Sequence, residues 1–481
     1  MHRFKNILLF ALFSVGILMS CKVAPPVTTP EAEPMPSSFK EKADTASSSG
    51  KLPWKEFFDD PYLLQLIELG IANNLDLKVA IQRIEMARAN VRVAKGALLP
   101  TLSMNAAIGQ RKFGEYTMDG IGNFDTNFSQ SLPEDKRVPE HLPDYYGGLQ
   151  SNWEIDLWGK LRNQKKAATA RFLATEKGRH LITTGLVAEI ARGYYELIAL
   201  DNELKIIREN SQLQQTAVDL MLAQKAAGRA TELAVKQFTA QLLNTKSLEA
   251  RLRQMIVHNE NQINLLLGRF PQPIPRGNPI LQQTLPEKIK TGIPSELLTR
   301  RPDIAQAELS LQAARLNVDA ARAAFLPSLV ISSSLGLQSF RPEKFLNTPG
   351  AMAYSIFGGL TAPLFNRNII RSDFKRASAE QTGLFYEYQK LIINGFQETV
   401  TGLQRIDNLQ TAATFKQQEV NILQEAVSTS NDLYLAGLAS YLEVIMAQKN
   451  VLEAELQLAE TRKEQFFSVV DLYRALGGGW N

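Results

Sequence analysis

Apolar positions recur along this chain with two different periods, and the change from one to the other marks its elements. Leu102, Met104, Ala106 and Ile108 alternate with Ser103, Asn105 and Ala107. After a loop of about 35 residues rich in Gly, Pro, Asn and Asp, Leu149, Ser151, Trp153, Ile155 and Leu157 alternate with Gln150, Asn152, Glu154 and Asp156. A period of two is that of a strand with unlike faces. Leu329, Ile331, Leu335 and Leu337 repeat the pattern against Ser328, Ser332, Ser334 and Gln338. Beyond a shorter turn around Pro342 to Gly350, Met352, Tyr354, Ile356, Leu360 and Leu364 mark one face of a fourth run. The chain thus predicts two antiparallel hairpins with strands of about 10 residues, the length of a tilted membrane-spanning strand. A soluble sandwich hairpin has the same alternation.

Helical text fills most of the rest. Helices are expected from about Pro61 and from Leu75 to Leu98, where Pro100 ends the second. No proline interrupts the runs from about Lys160 to Ala227 and from about Arg367 to Ala436. Each predicts a helix of about 65–70 residues, roughly 100 Å at the standard rise. Turns at Gly228 and Gly437 lead into returning helices of about 40 residues that end at Gly268 and Gly477. Along the first, Val235, Phe238, Leu242, Leu252, Ile256, Ile263 and Leu266 keep a seven-residue register, the period of a left-handed coiled coil. Thr245, Glu249 and Asn259 interrupt that seam, which favours a loose or hollow helical assembly.

These elements occur twice. Nine of 16 aligned pairs are identical between the segments starting at Ala87 and, 227 positions later, at Ala314. A second echo, offset by 209, pairs the segment from Ala227 to Gly268 with that from Ala436 to Gly477. The period far exceeds that of solenoid repeats. The chain is internally duplicated, with a first structural repeat over 53–289 and a second over 290–481.

The N-terminus adds an address. Arg3 and Lys5 precede an apolar run from Ile7 to Met19, followed by Ser20 and Cys21, the single cysteine of the chain. That is a secretory signal over 1–20, too short to span a membrane, with Cys21 placed as a lipoprotein acylation site; a chance cysteine beside a simple signal is the alternative. Residues 21–52, rich in Pro, Ser and Thr, predict a lipidated flexible tether. Removing the signal lowers the formal charge from +4 to +2, since Arg3 and Lys5 leave and no acidic residue does. A nearly balanced chain makes no case for nucleic acid. One cysteine and four scattered histidines offer no disulfide framework and no metal-ligand spacing. No nucleophile–base motif or phosphate loop is present, so no catalytic residue, metal or cofactor is expected.

Four strands cannot close a membrane barrel, and open edges in lipid leave backbone groups unsatisfied. Sister copies must complete the wall: two give eight strands, and three give 12, wide enough for water. At this point the residues resemble a known family. Trp54-Lys55-Glu56-Phe57-Phe58-Asp59-Asp60-Pro61, Trp153-Glu154-Ile155-Asp156-Leu157-Trp158-Gly159-Lys160-Leu161-Arg162 and Leu298-Thr299-Arg300-Arg301-Pro302-Asp303-Ile304 appear in that order. Ala436-Gly437-Leu438-Ala439-Ser440-Tyr441-Leu442 and Leu472-Tyr473-Arg474-Ala475-Leu476-Gly477-Gly478-Gly479-Trp480 follow. Together they resemble the outer-membrane factor family of TolC-like efflux proteins, in its NodT-type lipoprotein branch, from about Trp54 to Trp480. The resemblance implies a membrane α+β fold: a homotrimeric 12-stranded β-barrel, four strands per chain, continuous with a 12-helix periplasmic α-barrel. It further implies a periplasmic adaptor (membrane fusion) protein and an inner-membrane pump of the resistance-nodulation-division type. The chain would then be a passive outer-membrane duct for small toxic compounds. A duct for polypeptide or metal-ion export, and an envelope scaffold, are the competing readings.

The same resemblance names residues. Gly228, Arg229 and Thr231, with Gly437, Leu438 and Ser440, would form adaptor-docking tips, a role additional to turn geometry and helix capping, which by themselves account for the glycines and for Thr231 and Ser440. Asp432 is a candidate for an acidic constriction at the periplasmic end. The family often carries a basic residue where this chain has Leu435, so an apolar plug is the alternative to a charged lock. Gln150, Asn152, Glu154 and Asp156 are expected to face the lumen. Glu154 and Asp156 also invite a glycosidase reading, but no cleft accompanies them. Trp153, Trp158, Tyr354 and Phe365 suit an interfacial aromatic belt, or core packing.

Overall fold

The computed structural model describes residues 30–31, 33–39, 48–285, 290–363, 366 and 368–480. Cys21, Leu364 and Phe365 lie outside the described residues. In chain order the main elements are α1 (Pro61–Asn73), α2 (Leu75–Gly96), β1 (Thr101–Lys112), α3 (Met118–Phe128), β2 (His141–Ile155), α4 (Lys160–Ala226) and α5 (Glu232–Leu266). The second half follows with α6 (Pro302–Ala323), β3 (Ser328–Ser339), β4 (Met352–Thr361), α7 (Ile369–Leu435) and α8 (Tyr441–Ala475). The duplication is kept to the residue: α4 and α7 each have 67 residues, α5 and α8 each have 35, and α2 and α6 each have 22. The loop expected between the first two strands is shorter than its composition implied. Both strands run further, and the connection holds an 11-residue helix, α3, opened by the Thr117 side chain accepting from Gly120 N–H.

The described residues form two compact units, and each unit draws on both repeats. One contains Ala87–Phe172 and Leu311–Leu384; the other contains Glu31–Met86, Leu173–Ser310 and the chain from Phe385 onward. The first unit carries a single antiparallel sheet in the order β1-β2-β3-β4. Beside the sheet, Ala167 and Ala170 of α4 pack on Ala313 of α6, where small side chains let the helix backbones approach closely.

The second unit is helical and holds the main core. Leu63, Leu66 and Ile67 of α1 are buried with Ile190, Tyr194 and Leu197 of α4, Ile263 of α5, and Phe466 and Val470 of α8. Gly70 is required there, because a Cβ would stand 2.4 Å from Ile190 Cδ1. Asp60 does two jobs: one carboxylate oxygen accepts from Tyr62 N–H and the other from Tyr194 O–H at 2.8 Å and Gln283 Nε2 at 2.9 Å. Burial, reinforced by the Asp60 charge, raises the Tyr194 phenol far above its ordinary pKa and keeps it a donor.

The seam residues that suggested a hollow assembly are satisfied within the chain. Thr245 Oγ1 donates to Gln241 O, Asn259 Nδ2 donates to Gly193 O at 2.8 Å, and Glu249 accepts from Arg208 and Arg253. Asn259 and Glu249 therefore tie α5 to α4, Thr245 bonds within α5, and none of the three says anything about a bore. Within the segment read as a tether, some of the described residues make defined contacts. Phe39 is buried and stacks on Phe396 at 5.3 Å, and Ser49 exchanges hydrogen bonds with the Lys290 backbone. Phe39 and Ser49 thus find partners in the folded body, Ser49 through its N–H and its hydroxyl, although the local composition could not build a core of its own.

Equivalent sites in the two repeats are closed by different chemistry. Asn74 Nδ2 donates to Leu266 O at 2.9 Å, and its Oδ1 caps α2 at Leu77 N–H. At the matching position Arg301 Nη1 donates to Ala475 O at 3.1 Å and to Glu398 at 2.7 Å, while Nη2 donates to Asp303 at 2.7 Å. Gly395 makes room, since a Cβ there would meet the Arg301 guanidinium at 3.2 Å. A neutral cap and a buried charged clamp differ in the cost of removal. Arg301→Ala is expected to lose about 3–5 kcal/mol, because two carboxylates are left without their partner; Asn74→Ala should lose only ~1–2 kcal/mol. Thermal unfolding of the purified variants measures both, and equal losses would refute the charge argument.

A second charged group sits between α4 and α8. Lys463 is buried, with Nζ 3.2 Å from Glu196 and 2.6 Å from Glu460. Burial pushes the neighbouring Glu203 up to about 7, opposed by Lys463 and assisted by Glu460 and Glu196. A carboxylate with a raised folded-state pKa takes up a proton on folding between its ordinary value and about 7, so stability falls as pH rises through that window. Glu203→Gln is therefore expected to raise the melting temperature at pH 8 and to change little at pH 5. A gain of equal size at both values would show that Glu203 is not the titrating group.

Candidate functional site

The sheet is where the chain's two-sidedness becomes geometry. Register places Ser103, Gln150, Ser334 and Ser355 in one row across all four strands. The next row on that face is Thr101, Asn152, Ser332 and Phe357. Side chains bridge neighbouring strands here: Asn105 Nδ2 donates to Gln150 Oε1 at 2.7 Å, Ser332 Oγ to Asn152 Oδ1 at 2.8 Å, and the Ser334 and Ser355 hydroxyls lie 2.8 Å apart. The opposite face carries the row Met104, Leu149, Leu335 and Tyr354. These four are 81%, 45%, 54% and 78% exposed, although all are apolar or aromatic. An apolar face left this open demands a non-aqueous neighbour. Among the described residues no helix is long and apolar enough to cross a membrane.

The sheet's corners are built by its conspicuous motif. Trp153 Nε1 donates to Leu98 O at 3.0 Å and Trp158 Nε1 to Pro327 O at 2.7 Å, so each indole pins one helix-to-strand corner. Glu154 pairs with Lys160 at 2.9 Å. Asp156 departs from the strand reading: β2 ends at Ile155, and the Asp156 carboxylate accepts from Leu161 N–H, Arg162 N–H and Arg162 Nε. It caps α4, because the first N–H groups of a 67-residue helix have no partner within it. Gly159 takes φ +79° at this corner, and Asn368, its counterpart 209 positions on, takes +63°. The sequence signal for that correspondence was present, since Asn is the residue after Gly that best tolerates a left-handed backbone.

Comparison with known proteins follows this geometry. The outer membrane efflux protein family matches residues 66–269 and 293–478. The chain belongs to that family. The solvent efflux pump outer membrane protein SrpC of Pseudomonas putida is 29% identical, over 100% of this chain and 99% of its own. The probable outer membrane lipoprotein SilC of Salmonella typhimurium is 27% identical, over 98% of each chain. Among solved structures, the outer-membrane channel OprN superposes with a TM-score of 0.82 at 27% identity, covering 95% of this chain and 99% of that one. The protein is thus an outer-membrane efflux component, and its four strands are its share of a channel wall.

In this efflux protein the two hairpin turns are closed alike. Gly228 and Gly437 adopt φ +73° and +75°, and the N–H groups of Arg229 and Leu438 reach back to Gln224 O and Leu433 O. Such left-handed closures favour glycine. Thr231 caps α5 by accepting from Ala234 N–H, and Ser440 N–H donates to Glu443 at 2.7 Å in a capping box. Asp432, Leu435 and Leu438 are exposed. Tyr434, which the sequence reading passed over, turns inward: its hydroxyl donates to Gln224 Oε1 at 2.6 Å and packs beside Met221, tying the two hairpins together.

The two faces of β2 make a sharp contrast testable. Leu149→Arg is expected to cost about 2–4 kcal/mol of membrane-folded stability, the usual loss for a cation on a lipid-facing strand. Gln150→Arg, one residue along, should be nearly neutral. Urea unfolding from bilayers separates them, and a reversed order would exchange the lipid and water faces.

Proposed function

We propose that three copies of this chain close a 12-stranded barrel around a watery bore, which passes small toxic compounds out of the cell. The observation that carries the reading is the open sheet, polar on one face and apolar on the other, with the outer edges of β1 and β4 unpaired among the described residues. Gln150, Asn152 and Glu154 then line the bore, with Asp156 at its rim. The family match, and a relative named for solvent efflux, favour small apolar cargo. The duct performs no chemistry of its own. Energy comes from an inner-membrane pump of the resistance-nodulation-division type, joined through a periplasmic adaptor protein that docks at Gly228, Arg229 and Thr231 and at Gly437, Leu438 and Ser440. Asp432 and Leu435, both near the second turn, form the periplasmic closure: three carboxylates about one axis repel one another, and three leucines exclude water. Cys21 carries the acyl anchor, in keeping with a relative named as a lipoprotein.

Deleting the gene is expected to raise sensitivity to hydrophobic toxic compounds at least severalfold. Because Cys21 is the single cysteine, Ser440→Cys provides one further thiol for site-specific cross-linking. It should capture the adaptor in intact cells, and a matching cysteine on a strand should not. Unchanged sensitivity accompanied by a lost secreted polypeptide, or by sensitivity to metal ions alone, would transfer the assignment to polypeptide or metal-ion export.

A further inference from the structure

The β1–β2 connection, a region the efflux reading does not use, contains a cavity with the composition of a ligand site. It lies wholly within the sheet-bearing unit and measures about 540 Å³, inside the ~300–1,000 Å³ range of small-molecule pockets. Its apolar lining is Ile121, Phe124 and Phe128 of α3, with Phe113 at the end of β1. The spacing of the three α3 residues places them on one helix face. The Phe124 and Phe128 rings lie 4.5 Å apart, and both remain largely exposed.

The polar lining is biased toward one charge. Lys112 and Glu140 pair at 2.8 Å and neutralise each other, leaving the Glu115 carboxylate as an excess negative charge. Arg111, the nearest further cation along the strand, lies over the Phe113 ring at 5.7 Å and is not part of the lining. Asn123 Nδ2 donates to Pro139 O at 3.0 Å, which ties α3 to the segment that leads into β2 and holds the two sides of the cavity together.

We propose that this loop binds a small amphiphile joining an aromatic or alkyl body to a protonated amine. The body lies against Phe124 and Phe128, where ring faces also attract a cation. The ammonium group is held by the Glu115 carboxylate, the charge that Lys112 and Glu140 leave unbalanced. The site is independent of the helical turns and of any pump.

The test uses the full-length protein in lipid nanodiscs, with empty nanodiscs subtracted. Fluorescence anisotropy follows rhodamine 6G as the cationic probe and N-phenyl-1-naphthylamine as the neutral one. Saturable rhodamine binding is expected, weakened about tenfold or more by the Phe124→Ala, Phe128→Ala double variant through lost apolar area. Glu115→Gln should weaken rhodamine binding about fivefold and leave the neutral probe unchanged, as a purely electrostatic contribution requires. Gel filtration of each variant shows whether assembly is intact, so that a lost site is distinguished from a lost fold. Four outcomes would overturn the proposal. They are no saturable binding above empty nanodiscs, indifference to the double variant, equal affinity for both probes, and a Phe124→Cys variant that cross-links copies because a neighbouring copy fills the cavity.

Discussion

An edge strand in hydrocarbon has nowhere to send its backbone hydrogen bonds. β1 and β4 are full-length edges of a four-stranded sheet, and one face of that sheet is apolar. Each unpaired N–H or C=O in lipid costs several kcal/mol, so a dozen such groups outweigh any single-chain stability. The chain is therefore incomplete in the membrane, and closure through sister copies follows from the arithmetic of strands. Two copies would fill the barrel with their own side chains, whereas three leave room for water. The polar row through Ser103, Gln150, Ser334 and Ser355 is what such a bore needs.

Duplication shows which parts of a helix end are negotiable. Where the backbone must enter the left-handed region, both repeats use a residue that tolerates it: Gly228 and Gly437, Gly268 and Gly477, Gly159 and Asn368. Close approach adds a second reason at Gly268 and Gly477, whose Cβ positions would meet the Asn73 carbonyl oxygen and the Arg300 carbonyl carbon. Where only a donor for a carbonyl is needed, the repeats diverge. Asn74 suffices in one, and Arg301 serves in the other while also satisfying two carboxylates. Steric limits on the backbone admit very few residues, but a hydrogen bond to a carbonyl accepts many donors.

That asymmetry explains which residues were easy to read. The glycine turns, the capping residues Thr231 and Ser440, and the Pro100 and Pro327 breaks act through local backbone chemistry and stand out in one dimension. Arg301 was visible only as part of a motif, because its partners Glu398 and Ala475 lie 97 and 174 residues away. Tyr434 was hidden for the same reason: its partner Gln224 is 210 residues distant. Asp156 was read by parity as a strand residue, but the unpaired N–H groups at the start of α4 claim its carboxylate.

The sequence by itself determined the long helices, the four strands, the two faces of β2 and the duplication, because periodicity and proline or glycine punctuation are local properties. It also carried the motifs that resemble outer-membrane efflux proteins. Only the tertiary structure decided where polar seam residues find partners, that Phe39 docks beside Phe396, and that α3 forms within a loop of unpromising composition. Those outcomes depend on which distant surfaces meet, and burial and hydrogen-bond satisfaction are set by neighbours in space.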